Sequence, residues 1–271
     1  MAEQSKSDKK ALEKTGANAS VDALASRALS VVANRTTKAG LPLDKALVRQ
    51  LHDAAAIGMH NEVPDVVKAM LSRGISAEVI AVHYIPEVAR QMGDEWCEDE
   101  LSFGHVTIGV SRLQSALRVL GKDWWHDARN QSDNGQSTGV IVIVAKDAYH
   151  TLGASILCGQ LRQMGLSVRL AMGASPHELR SMFKDTSFDA VLVSATTFES
   201  LDFLREYVET IRKSVSGSPP IIIGGTVLDQ EADVKAATGA DFATKDPFEA
   251  LEHCGLTKTT RKKATQSGHR T

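Results

Sequence analysis

The chain has 271 residues, a formal net charge of −2 and 42% hydrophobic residues, values that argue against a wholly disordered chain, a collagen or a membrane bundle. No hydrophobic segment follows Met1 and the three cysteines are scattered, so we expect a cytoplasmic protein with no disulfide framework and no membrane contact. The charge is uneven, because residues 1–20 carry +1 and residues 257–271, with five Lys or Arg and no acid, carry +5, which leaves about −8 for residues 21–256. An acidic body does not suit a protein that wraps around DNA.

Apolar residues recur at helical spacing from residue 21 to residue 127. Residues 1–20 before them are polar and are predicted to form a disordered tail. Asn61 is predicted to cap the second helix, and Ser76 begins a helix that contains Pro86, where we expect a kink. The pattern predicts a four- or five-helix bundle without strands.

Residues 128–138 contain no aromatic or branched aliphatic residue and are predicted to be a linker. Strand and helix patterns alternate over residues 139–256, which predicts a doubly wound α/β domain with a parallel sheet, Rossmann-like or flavodoxin-like. Its strands are predicted at Val140–Ala145, Ser167–Ala171, Ala190–Ser194, Ile221–Ile223 and Asp241–Ala243. Residues 257–271 are predicted to be a basic disordered tail, either solubilising or in weak contact with nucleic acid.

Ligands of such sheets bind at the carboxyl ends of the strands, and several small or polar residues follow three strands there. They are His150, Gly153, Ser194, Thr196, Gly224 and Gly225. The dinucleotide fingerprint, the phosphate-binding loop and the Gly-x-Ser-x-Gly elbow are all missing, and no paired acids or His-x-x-x-His cluster suggests a catalytic metal. A large cofactor along the strand edge fits better than a small substrate.

Residues 138–253 resemble a cobalamin-binding domain, whose signature is Asp-x-His-x-x-Gly, then Ser-x-Leu or Ser-x-Thr, then Gly-Gly. Gly153 precedes Ser194 by 41 positions, and Ser194 precedes Gly224 by 30, close to the family's spacing. The resemblance implies that His150 coordinates cobalt and that the benzimidazole tail of the cofactor enters near Ser194, Thr196 and the two glycines.

The chain departs from that signature beside the ligating histidine. Ala148 stands two positions before His150, where the family has Asp, while Asp147 stands three before. A carboxylate normally fixes the tautomer and basicity of a ligating His. Its altered position argues against an enzyme that cycles cobalt through several oxidation states, and we expect no catalysis.

The helical half resembles the cap module found before this domain. Trp96 and Phe103 match its aromatic positions and predict an apolar lid over the cofactor, the alternative being that both are core aromatics. Val106 and Thr107 replace a Glu-His pair of light-sensing members, which favours hydroxo- or aquocobalamin over adenosylcobalamin, or His105 as the upper ligand.

A cap and a cobalamin domain without a catalytic barrel or winged helix resemble the AerR/PpaA group of antirepressors. The strings that suggest this group are 96–103 (Trp-Cys-Glu-Asp-Glu-Leu-Ser-Phe) and 150–153 (His-Thr-Leu-Gly). The resemblance implies a cobalamin-binding, light-responsive regulator of photosynthesis genes whose partner is a DNA-binding repressor of the CrtJ/PpsR type. A corrinoid methyl-shuttle protein and a haem-binding redox sensor using His150 or His105 stay as alternatives, and the oligomeric state stays open.

The bundle ends at Trp124-Trp125-His126. We expect these residues to pack against the linker or the sheet domain. A partner surface is the alternative.

Overall fold

The described part of the helical half consists of α-helices and one π-helical segment. The computed structural model describes residues 43–59, 61–120, 124, 138–144, 151–197, 199–215, 217, 219–230 and 232–256. Its first elements are α1 (Lys45–Ala56), α2 (Glu62–Ser72), α3 (Ala77–Val79), a π-helical segment (Ile80–Tyr84), α4 (Ile85–Cys97) and α5 (Phe103–Leu117). Across these ranges, no helix has both the length and the apolar character needed to cross a membrane.

Serine hydroxyls cap the N-termini of two of these helices. The Ser76 hydroxyl accepts a hydrogen bond from the Val79 amide at 3.2 Å, as predicted, and Ser102 accepts one from the His105 amide at 3.3 Å. Asn61 stands at the N-cap position of α2, but its side chain makes no capping hydrogen bond, so that part of the prediction is wrong.

Pro86 is accommodated by a π-helical segment immediately before it. Pro86 has no N–H to donate and its ring crowds the preceding turn. The wider turn over Ile80–Tyr84 ends directly before α4, which has Pro86 in its first turn. The predicted kink is therefore a local change of helix type.

The helical half packs around fully buried aliphatic side chains and one close helix approach. The buried residues include Leu51, Val63, Met70, Ile80, Ile85, Met92, Leu113 and Leu117. At Gly109 of α5, an added Cβ would lie 2.1 Å from Met92 Cε and 3.1 Å from the Ala55 carbonyl oxygen. Arg112 Nη1 donates a hydrogen bond to the same carbonyl oxygen at 2.8 Å, so a side chain of α5 satisfies one of the backbone carbonyls at the C-terminal end of α1.

The second half is a five-stranded parallel sheet with helices between the strands, which confirms the predicted fold class. The strands are β1 (Gly139–Val144), β2 (Ser167–Met172), β3 (Ala190–Ser194), β4 (Ile221–Gly224) and β5 (Phe242–Ala243), in the order β2-β1-β3-β4-β5. The helices are α6 (Leu152–Gln163), α7 (Pro176–Asp185), α8 (Leu201–Ser214), α9 (Val234–Thr238) and α10 (Pro247–His253).

Two short elements follow β4 and β5. A 3₁₀ turn at Thr226–Asp229 precedes α9, and the Asp233 carboxylate accepts a hydrogen bond from the Ala236 amide at 3.0 Å, so that α9 begins there. The last described helix, α10, has only seven residues.

The sheet is buried on both faces. Ile141 and Ile143 of β1 belong to one apolar cluster, while Val140, Val142 and Val144 belong to the other. This alternation explains the continuous apolar run of the strand. The chain leaves β1 towards β2 on one side and returns to β3 on the other, so the topological switch point lies between β1 and β3.

The predicted domain boundaries stay predictions. The tails at 1–20 and 257–271 lie outside the described residues, as does the linker at 128–138 apart from Thr138. The Thr138 carbonyl accepts a hydrogen bond from the Ser167 amide at 2.9 Å, so pairing of the sheet begins there.

Candidate functional site

The carboxyl ends of three central strands lie side by side. Ser194 at the end of β3 pairs in register with Val144 of β1 on one side and with Gly224 of β4 on the other. The structure therefore brings Ser194 and Gly224, which are 30 positions apart in the sequence, next to each other at the strand edge, one strand away from the switch point. Both residues are half-buried, as expected at the rim of a site.

Glu199 organises the loop that leaves β3. One oxygen of its carboxylate, Oε2, accepts hydrogen bonds from the Thr196 amide at 2.7 Å and from the Thr196 hydroxyl at 2.6 Å. Because this hydroxyl donates to Glu199, it offers a ligand only its acceptor lone pairs. The sequence analysis missed Glu199, although the Thr-x-x-Glu spacing of residues 196 and 199 is a capping-box signal that could have identified it.

The two glycines at the end of β4 are required by the backbone of the protein itself. Gly225 has φ +106°, and a Cβ there would lie 2.1 Å from the Ala195 carbonyl oxygen. A Cβ at Gly224 would lie 2.8 Å from the Thr244 carbonyl oxygen. The glycines thus let the β4 exit pack closely between neighbouring loops, whether or not a ligand also runs along them.

The first turn of α6 carries Gly153 on an open surface. Gly153 is exposed, and a Cβ added there would meet no described heavy atom within 4 Å. Asp147 and His150 lie outside the described residues, and the predicted cobalt ligand stays a prediction.

Trp96 and Phe103 form an exposed aromatic pair on the helical half. Their ring centroids lie 5.8 Å apart with planes at 55°, and the two residues are 42% and 67% exposed. This exposure contradicts the alternative that both are core aromatics. The lid role stays a prediction, since large exposed aromatic surfaces mark binding sites of many kinds.

Glu95 orders the turn between the two helices that carry this pair. Its carbonyl accepts hydrogen bonds from the amides of Glu100 at 2.8 Å and Leu101 at 3.1 Å. Its carboxylate contacts His52 Nε2 at 2.9 Å, which connects the end of α4 to α1. Trp96 at the end of α4 and Phe103 at the start of α5 are therefore held on either side of an ordered turn.

His105 is exposed in the first turn of α5, and its Nδ1 lies 2.7 Å from the Ser102 hydroxyl. That contact leaves Nε2 as the ring nitrogen available to a ligand. Its predicted role as upper ligand stays a prediction. No group of three His, Cys, Asp or Glu side chains among the described residues is arranged to hold a metal ion.

Comparisons with known proteins agree with this architecture. Residues 138–252 match the model of the B12 binding domain family. The chain is 36% identical over 172 residues to an uncharacterized 20.5 kDa protein in the bchF-crtJ intergenic region of Rhodobacter capsulatus, covering 64% of this chain and 88% of that protein. The monomethylamine corrinoid protein of Methanosarcina barkeri shares the fold, with a TM-score of 0.56 and 18% identity over 77% of this chain and 96% of that one.

Proposed function

The chain belongs to the family of the Rhodobacter capsulatus protein and carries a B12-binding domain, and from this we propose that it is a cobalamin-binding, light-responsive antirepressor without catalytic activity. The regulatory role in this proposal is supported by the gene position of the Rhodobacter capsulatus relative, which lies in the region between bchF and crtJ. The repressor type implied by the sequence resemblance is that of CrtJ itself.

The residues at the strand edge fit such a cofactor. Ser194 and Thr196 carry hydroxyl groups, which can form hydrogen bonds with the amide groups of such a cofactor, and Gly153 is exposed in the first turn of α6. His150 is proposed as the cobalt ligand, because a neutral imidazole suits a borderline metal ion. Asp147 is then the nearest carboxylate in sequence to orient it.

The aromatic pair of the helical half fits the apolar face of a large ring. Trp96 and Phe103 together expose apolar surface on either side of an ordered turn, and covering it with a ligand removes that surface from water. When bound, cobalamin supplies a cobalt centre whose upper ligand is sensitive to light. The side chains of this protein bind the cofactor, orient it and exclude water from it.

Binding of the cofactor is tested first by visible absorption. We expect the purified protein to retain hydroxocobalamin, and His150→Ala to abolish the spectral change that accompanies histidine ligation. His177→Ala, which removes an exposed histidine of α7, is the matched control and is expected to behave as wild type. An unchanged spectrum in His150→Ala would show that another group is the ligand, and stoichiometric retention of haem with a Soret band would replace cobalamin.

The regulatory role is tested with a purified repressor of the CrtJ/PpsR type and its operator DNA. We expect the cofactor-loaded protein to weaken binding of the repressor to DNA in a light-dependent manner, as measured by fluorescence anisotropy. An identical DNA affinity with and without the protein, in dark and light, would remove the antirepressor role. Methyl transfer in the presence of a methyltransferase would instead support the methyl-shuttle function.

A further inference from the structure

A hydrogen bond joins the helical half to the start of α6. Gln114 Nε2 of α5 donates to Thr151 Oγ1 at 2.6 Å, across 37 positions of sequence, and both side chains are half-buried. Thr151 directly precedes α6, the helix whose first turn carries Gly153. The bond therefore connects the helical half to the strand edge described above.

The side chain of Thr151 is used for this contact and not for the helix it precedes. Thr151 occupies the N-cap position of α6 but makes no side-chain capping hydrogen bond. A threonine at this position ordinarily accepts a hydrogen bond from an amide of the first turn. The carbonyl oxygen of Thr151 makes the described contacts with α6, where it accepts hydrogen bonds from the Ser155 amide at 3.0 Å and the Ser155 hydroxyl at 2.9 Å.

A second contact fixes α6 two turns further on. The indole of Trp124, which is 1% exposed, lies against Gly159. Thr151 and Gly159 are eight positions apart, so the two contacts lie about two turns from each other along α6. Of the two, the Gln114 contact is the one at the start of α6, next to Gly153.

We propose that Gln114 is a positioning residue for the cofactor site. Its hydrogen bond holds the first turn of α6 in place, so that losing the bond weakens cobalamin binding without removing any group that touches the cofactor. The inference rests on the proposed cobalamin binding. Because one hydrogen bond is involved, we expect about a three- to tenfold loss of affinity.

The test compares variants that keep side-chain volume and remove only the polar partner. Gln114→Met and Thr151→Val each lose the hydrogen bond, whereas Thr151→Ser keeps the hydroxyl. Gln50→Ala, an exposed glutamine of α1, is the control. Hydroxocobalamin affinity is measured by absorbance titration at a temperature where circular dichroism shows every variant to be folded.

We expect weaker binding in Gln114→Met and Thr151→Val, no further loss when the two are combined, and wild-type binding in Thr151→Ser and Gln50→Ala. The lack of additivity would show that the two side chains act as a pair. In the cofactor-free protein, amide hydrogen exchange at residues 153–156 should be faster in Gln114→Met than in wild type.

The outcomes separate this inference from the function on which it rests. If wild type binds cobalamin and Gln114→Met binds it equally well, the positioning role is wrong while the proposed function stands. If wild type does not bind cobalamin, both are wrong. A purely structural contact would lower the free energy of unfolding and leave the affinity of the folded variants unchanged, which also overturns the proposal.

Discussion

The indole of Trp124 lies on the bare backbone of α6 at Gly159. A Cβ added at residue 159 would lie 2.2 Å from Trp124 Cε2 and 2.4 Å from Nε1. Trp124 is 1% exposed, so the expected packing role is confirmed for this residue and the partner-surface alternative is wrong for it. Gly159 therefore serves close packing, at a helix position where glycine is otherwise unfavourable.

Gly159→Ala should lower the free energy of unfolding by about 1–3 kcal/mol, because the indole has no flexible end to move aside. Helix propensity alone would give the opposite sign, a gain of about 1 kcal/mol. Urea unfolding measures the difference. Gly93→Ala in α4 is the matched control, since a Cβ there meets no described heavy atom within 4 Å, and we expect it to stabilise. Equal stabilisation by both substitutions would contradict the packing argument.

Gly225→Ala should destabilise even the cofactor-free protein. The residue has φ +106° and its Cβ would lie 2.1 Å from a backbone oxygen of Ala195, so we expect a loss of about 2–4 kcal/mol. Gly173→Ala is a control at a positive φ without a close contact, because φ is +63° there and no described atom lies within 4 Å. We expect it to cost about 1–2 kcal/mol. Chemical unfolding of both variants decides whether close approach matters, and equal losses would exclude it.

The fold was predictable because its signals are local. The continuous apolar run at Val140–Val144 and the turn residues after it identify a buried parallel strand without reference to any partner. The break at Pro86 was equally visible, but its outcome was not. A π-helical segment depends on which carbonyl each amide finds, and that is decided by how the neighbouring helices pack.

The residues of the candidate site could be predicted from the sequence, but the tertiary contacts that require those residues could not. Ser194 and Gly224 meet as expected, because the carboxyl ends of parallel strands share one edge. At Gly225 a side chain is excluded by the carbonyl oxygen of Ala195, a residue thirty positions earlier. The Gln114–Thr151 hydrogen bond likewise joins the two halves of the chain. Such pairings depend on tertiary structure, and no spacing in a single sequence records them.

Phe103→Ala should weaken cobalamin binding more than it weakens the fold. Phe103 is 67% exposed and contacts Trp96, so its removal should cost about 1 kcal/mol of stability or less. If the pair covers the cofactor, hydroxocobalamin affinity should fall by about three- to tenfold. Phe203→Ala, which removes an exposed aromatic residue of α8, should leave the affinity unchanged. Equal affinities in both variants would exclude the lid.

Glu199→Ala should disorder the loop after β3, because it removes the acceptor of two hydrogen bonds from Thr196. We expect a stability loss of about 1–2 kcal/mol and weaker cobalamin binding. Glu199→Gln keeps a carbonyl acceptor and should therefore keep most of the stability and most of the cobalamin affinity. Glu178→Ala breaks a similar capping box at Ser175 and is the control. It should cost similar stability and leave cofactor affinity unchanged. Parallel losses of affinity in the Glu178 and Glu199 variants would show that the site responds only to general destabilisation.

Tyr207→Phe should remove a loss of stability at alkaline pH. The Tyr207 hydroxyl is buried with no hydrogen-bond partner in the described part of the chain, and burial raises the pKa of Tyr207 to about 12 from 10.0. Between these values the unfolded chain binds fewer protons than the folded one, so the free energy of unfolding falls as pH rises from about 10 to about 12.

Below that window the hydroxyl is neutral in both states and contributes no pH dependence. Because the hydroxyl has no described partner, Tyr207→Phe should leave stability at neutral pH unchanged or raise it by up to about 1 kcal/mol. Urea unfolding at intervals from neutral pH to pH 12 measures the profile. Tyr84→Phe, at a buried tyrosine of the helical half, should keep the alkaline loss. A wild-type profile in Tyr207→Phe would mean that another group titrates there, since phenylalanine has no proton to release.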